Sequence, residues 1–347
     1  MRLSAVSASR VLLAGLIAST LGLGCAGDED LPKPASKRQR EQPTSPPAPP
    51  AAQPVVPLAA ALSAIWGSGP DDVWAVGLGG TILHYNGNEL IQVQSPTTVD
   101  LLAVHGSAYD DIWMVGVGGV TVHWNGKTLD VVETVDDETL LGVWANAPDD
   151  VWAVGFIPLE RSGVVRFFNG DHWGEVVIPT AASLWEIWGD GPDNVWVVGT
   201  NHSVAGLVLH AVGNEIRQMQ FDGSPLRGVW GSGGDDVWVL PYESPTQHYD
   251  GAEFQAVDSS TDNSMLGMWG SAPDDIWAVG LNGTIQHYDG NTWSRSEADT
   301  QATLWSVWGS APDNVWIAGG EGTLLRWNGE NWTKLEVAAQ PEVAAEM

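Results

Sequence analysis

The chain has 347 residues, with 14 Lys and Arg against 43 Asp and Glu, a net charge of −29, 20 tryptophans and one cysteine. With 44% apolar residues it can bury a substantial core, which excludes wholesale disorder. A single cysteine excludes an intramolecular disulfide, and no CxxC or Cys/His cluster offers a zinc site. The charge is uneven: residues 57–347 hold eight bases against 39 acids, an excess that repels DNA, RNA and anionic lipid.

Arg2 and Arg10 precede an apolar run at 11–24, VLLAGLIASTLGLG, and Cys25 follows it. A basic start followed by an apolar stretch of this length is the pattern of a secretory signal. It is shorter than the roughly 20 residues a spanning helix needs. Leu21-Gly22-Leu23-Gly24 before the cysteine resembles the lipobox of bacterial lipoproteins. That resemblance implies removal of residues 1–24, lipid on Cys25 and, with Ala26 next, the outer membrane or cell surface. Ordinary cleavage after Ala26, giving a periplasmic or secreted product, is the alternative. Residues 25–57 then read as a disordered tether, because 31–56 holds eight prolines and no aromatic residue. Its Lys33, Lys37, Arg38 and Arg40 fit a solvated linker or an aid to anionic headgroups.

From residue 63 onward the chain repeats. The first aromatic of each unit falls at Trp66, His105, Trp144, Trp188, Trp230, Trp269 and Trp308. A second column stands eight residues later, at Trp74, Trp113, Trp152, Trp196, Trp238, Trp277 and Trp316. Each unit of about 40 residues reads as four short strands separated by Pro-Asp, glycine and Asn/Asp-Gly turns. Seven such units predict an all-β fold: a seven-bladed β-propeller with four antiparallel strands per blade over residues 58–340, with 341–347 a disordered tail. Which strand is innermost, and whether the N-terminal strand completes the last blade, stays open at this level. The tandem WGS-x-PDDVWAVG…GTILHYDG-x-x-W units resemble BNR-like or kelch-like repeats of bacterial, myxobacterial-type lipoproteins. A more distant likeness to photosystem assembly factors implies a possible role in assembling an envelope complex.

The paired acids, such as Asp71-Asp72, Asp110-Asp111 and Asp274-Asp275, are expected to cap turns by accepting backbone amides, because calcium needs six to eight converging oxygens. His84, His123, His210, His248 and His287 share one strand position, with Phe167 and Arg326 in the other two units. They are expected to pack between blades rather than to hold a metal. No GxSxG elbow, P-loop or HExxH is present, so neither catalysis nor a cofactor is expected. A glycan-acting hydrolase or lyase is the alternative reading. The repeats break in three consecutive units, at FIPLERSG, TNHSVAG and Pro241–Pro245, all between the second and third strands. These hairpins emerge on one face and suggest a binding patch of Glu160, Arg161, His202, Tyr242 and Glu243. The expected product is a monomeric propeller, lipid-anchored through Cys25, that recognises a protein or glycan and no nucleic acid.

Overall fold

The computed structural model describes residues 60–337, apart from 134–136, 179–182, 214, 220, 222, 244 and 260. The signal, Cys25, the tether and the tail lie outside the described residues. Blade 1 consists of β1 (Leu62–Gly69), β2 (Asp72–Gly77), β3 (Ile82–Tyr85) and β4 (Leu90–Gln92), hydrogen-bonded in that order. Six more sheets follow with the same contiguous antiparallel order. The first strands are Leu62–Gly69, Leu101–Ala108, Thr139–Ala147, Ser183–Gly191, Leu226–Gly233, Met265–Ala272 and Leu304–Ala311. Each packs against the first strand of the next blade, and the seventh packs against β1, so the first strand is innermost. No strand is exchanged at closure; the last blade is built wholly from Leu304–Lys334.

Side chains close the ring. Trp308 of blade 7 lies over Gly67 of blade 1, so closely that a Cβ on Gly67 would fall 2.6 Å from the indole. The same contact recurs as Trp66 on Gly106, Trp144 on Gly189, Trp188 on Gly231, Trp230 on Gly270 and Trp269 on Gly309. Glycine is required because the next inner strand must pass under a flat ring at van der Waals distance. The seventh junction differs on both sides at once. His105 replaces the tryptophan, Ala145 replaces the glycine, and the Ala145 amide donates to His105 Nδ1 at 3.1 Å. A smaller ring thus accommodates the extra methyl. Burial pushes the His105 imidazole down to about 4, which keeps the acceptor nitrogen unprotonated.

The second tryptophan column fills the wedges. Trp74, Trp113, Trp196, Trp238 and Trp316 are at most 2% exposed, so each contributes most of an indole to the core. Each meets an aromatic of the next blade: Trp74 meets Trp124 at 5.7 Å, Trp196 meets Tyr249 at 5.2 Å, and Trp316 meets Tyr85 at 5.0 Å across the closure. Only at the blade 3–4 junction is that partner small. Ala211 faces Trp152 there, and an apolar cleft opens among Val165, Ile178, Val195 and Ile216.

His105→Trp alone drives an indole into the Ala145 methyl and is expected to cost about 1–3 kcal/mol, the usual penalty of overpacking. Adding Ala145→Gly should recover most of that loss. A double-mutant cycle by urea unfolding is expected to give a coupling of about 1 kcal/mol or more; additive effects would contradict the paired-junction account.

Candidate functional site

The acid turns and histidines form one structural device. The second residue of each pair opens the second strand, and in blades 1, 2, 4 and 7 its side chain ties three others together; Asp150 joins only Asn146 and Trp152, and Asp236 and Asp275 join only the serine and the histidine. In blade 1, Asp72 accepts from Ser68 Oγ, from Trp74 Nε1 at 3.1 Å and pairs with His84 Nε2 at 2.6 Å. Blade 2 repeats this with Ser107, Trp113 and His123 around Asp111. Asn194 and Asn314 take the same place in blades 4 and 7, and Arg326 replaces the histidine in blade 7. The residue types match a serine–histidine–aspartate nucleophile system, but the connectivity does not. The serine bonds the carboxylate rather than the imidazole, so nothing draws its proton toward a base.

Two expectations need correction. The acid accepts from side chains of its own blade, where backbone amides were expected. The histidines stack within the blade, not between blades: each lies cross-strand from its tryptophan, with ring centroids 3.8–4.4 Å apart. Burial would raise the Asp111 carboxyl, but hydrogen bonds from His123 and Ser107 outweigh it and hold the group below its ordinary range. Among the described residues no group of three or more His, Cys, Asp or Glu could hold a metal ion.

The opposite face carries the hairpins between second and third strands, and the inner strands begin there. In blade 1 this is a glycine turn at Leu78–Gly80, where Gly79 takes φ of 64°. Glu160 and Arg161 sit at the exposed tip that closes between Ile157 and Ser162; Ser162 Oγ lies 3.4 Å from Glu160 Oε2. His202 is exposed in a turn held by Asn201, whose Oδ1 accepts from the Ser203 amide at 2.8 Å. Tyr242 is half-buried, its amide bonded to Pro225 O at 2.8 Å, and its carbonyl accepts from Ser264 Oγ. Glu243 beside it is exposed. Among the described residues no hydrogen bond or ion pair joins the three hairpins through these side chains. Of the five expected residues, the structure engages Tyr242 in a cluster and leaves Glu160, Arg161, His202 and Glu243 as separate tips.

That cluster includes residues the repeat analysis passed over. At the start of each inner strand, around the mouth of the axial channel, stand Ser63, Leu102, Leu141, Trp185, Arg227, Leu266 and Trp305. The Arg227 guanidinium lies 3.6 Å from the centroid of the Trp185 ring and 5.3 Å from that of Tyr242. One position on, Ala64, Ala103, Gly142, Gly228, Gly267 and Ser306 are small, and Glu186 is the exception. Some of its surface is accessible, yet burial pushes its carboxyl up to about 7, against one bond from the Ile187 amide at 3.2 Å. The signal was readable in principle: Arg227 is the one charged residue in its column, and Glu186 the one large residue in the next.

The same face carries most of the exposed apolar side chains. Leu78, Val117, Leu159 and Val204 lie on its hairpins, Val99 on a linker between blades and Trp305 at the mouth. Leu159 is 86% exposed and Val204 69%. The other face presents the acid turns, beginning at Asp71, Asp110, Asp149, Asp235, Asp274 and Asp313.

This arrangement defines a seven-bladed, WD40-like β-propeller. The structure is similar to YCF48 from Cyanidioschyzon merolae, with TM-score 0.64 and 18% identity over 81% of this chain and 100% of that one. It is also similar to YCF48 bound to D1 peptide, with TM-score 0.61 and 14% identity over 83% of this chain and 99% of that one. The WD40 propeller domain of Doa1 gives TM-score 0.63 and 10% identity over 79% and 94%. Identities this low establish the fold alone. No protein-family model and no curated protein matches the sequence.

Glu186 sets a pH dependence. The unfolded chain releases its proton near the ordinary 4.5, whereas the folded chain holds it to about 7. The native state therefore binds more protons between those values, and this group's contribution to stability falls as pH rises through that window. Glu186→Gln is expected to melt progressively higher than the wild type from pH about 4.5 to about 7, the gap then levelling off. Parallel melting curves at every pH would exclude this role.

Proposed function

We propose that the propeller is a non-catalytic recognition module for a protein, bound on the hairpin face and held at the outer membrane or cell surface by lipid on Cys25. The observation that carries the binding half is the concentration of exposed apolar side chains on one face. A soluble surface rimmed by acids does not present Leu159 and Val204 at hairpin tips without a cost in solubility. The repeat irregularities of blades 3, 4 and 5 fall on the same hairpins, as expected where a regular scaffold diverges to fit a partner. YCF48, similar in fold, has been solved bound to a D1 peptide, so propellers of this shape can seat a peptide. The other face, crowded with aspartates, is suited to staying in solution.

The anchoring half rests on the sequence around Cys25 and on the proline-rich spacer that would hold the propeller off the bilayer. A single diacylated cysteine with a further acyl chain buries enough methylene groups, at about 0.8 kcal/mol each, for stable attachment.

Two measurements test the halves separately. Intact mass spectrometry of the protein from its own membranes is expected to show residues 1–24 removed and lipid on Cys25; an unmodified chain starting after Ala26 would end the anchoring reading. A photo-crosslinking residue in place of Leu159 or Val204, in the full chain in its own cells, is expected to give discrete protein adducts. The same residue in place of Asp149 or Asp274 should give none. Equal adducts from both faces, or none from the hairpins, would overturn the binding reading.

A further inference from the structure

The mouth ring contains six uncharged residues and one cation, Arg227. Four of the other five arginines of the propeller are matched: Arg166 pairs with Glu138, Arg217 with Glu215 and Arg295 with Glu297, while Arg326 bonds Asn314 and Tyr85; the fifth, Arg161, is exposed to water at a hairpin tip. Arg227 makes no ion pair among the described residues, and its buried Nε has no hydrogen-bond partner. Burial lowers its pKa, yet a guanidinium stays charged. A half-buried, uncompensated charge is costly. In a chain with 43 acids a partner was easy to supply, and none stands there. Glu186, one position along the neighbouring inner strand, accepts from the Ile187 amide and makes no ion pair with Arg227.

Trp185 and Tyr242 lie against the guanidinium, and no hydrogen bond or ion pair among the described residues occupies its donors, which suit a planar acceptor. Trp, Tyr and Arg are also the residue types that carry most binding energy at interfaces. We infer that Arg227 is the seat for an acidic side chain of a bound peptide, whose apolar neighbours pack on Trp185, Tyr242 and the leucines of the mouth.

A carboxylate fits better than a phosphate group. One guanidinium balances one charge, while the chain's net charge of −29 repels a dianion more strongly. A peptide fits better than a small free acid because the face that carries Arg227 also exposes Trp305, Leu159 and Val204 for further apolar contacts. An internal acidic residue fits better than a chain end because apolar residues flank Arg227 on both sides of the ring: Leu141 and Trp185 precede it, Leu266 and Trp305 follow it. This assignment rests on the reading of the hairpin face as a protein-binding surface, and adds to it the chemistry of the bound segment.

The probe is a random library of seven-residue peptides, acetylated and amidated at their ends, selected against the full mature chain. The wild type is expected to enrich peptides with Asp or Glu flanked by apolar residues. Resynthesis with Gln or Asn in place of the acid should weaken binding at least tenfold, and Arg227→Gln in the protein should weaken the parent peptides by a similar factor. Arg227→Lys, which keeps the charge and loses the fork and much of the stacking, should fall between. The resynthesised peptides keep the test decisive if Arg227→Gln does not fold. Enriched peptides without an acid, binding indifferent to its neutralisation, or binding restored only by a free C-terminus would each overturn the assignment. If the peptides are lost with Leu159→Asp and Val204→Asp but not with Arg227→Gln, the assignment fails and the hairpin-face reading stands. If no peptide is enriched, or none responds to the hairpin variants, both fail.

Discussion

The structure depends on one packing constraint, an indole laid flat over the backbone of the next inner strand. Each such contact needs a large planar ring on one blade and no side chain on the other. Six of them, with the His105–Ala145 junction completing the circle, set the spacing of the inner strands, and that spacing leaves wedges that the second tryptophan column fills. The junction between His105 and Ala145 shows that the constraint is mutual. A methyl on one side is compatible only with a smaller ring on the other, and the smaller ring then gains an amide hydrogen bond that a tryptophan, a donor only, would not accept. Closure uses the same contact between Trp308 and Gly67, so the ring needs no exchanged strand.

Within a blade a second device acts in the perpendicular direction. The acid or amide at the start of the second strand joins the turn before it and, in most blades, the tryptophan two residues on and the polar side chain of the third strand. Buried polar groups are costly unless paired, and here each pairing is local to one sheet. The indole surfaces between units supply the ring energy. This division explains why the polar column tolerates Asn194, Asn314 and Arg326 while the tryptophan column admits no replacement. A hydrogen-bond acceptor is supplied equally by a carboxylate or an amide, but no other side chain has the volume of tryptophan.

The two faces inherit different chemistry from this plan. Turns that carry the acids are tied into the blade and have little freedom to change. Hairpins between the second and third strands bear no such polar network, so they lengthen in blades 3 and 4 and change composition in blade 5 without disturbing the ring. Apolar side chains and the Trp185–Arg227–Tyr242 stack accumulate where the structural cost of variation is lowest. A rigid scaffold with one variable face is the arrangement expected of a recognition module.

Strand number, blade number and the identity of the core were legible in the sequence because each depends on a local pattern repeated seven times. The inner position of the first strand, the contiguous closure and the stacking of histidine on tryptophan within a blade were not, since all three are relations between segments that the repeat does not order in space. The expected patch held Tyr242 but missed Arg227 and Trp185, which lie on regular strands where no insertion draws attention. Glu160, Arg161 and His202 were visible as irregularities, yet the structure leaves them apart. The sequence by itself therefore determined the architecture, because periodic burial and turn chemistry are short-range and additive. Only the tertiary structure decided which odd residues meet, because a contact between neighbouring inner strands joins positions some forty residues apart along the chain.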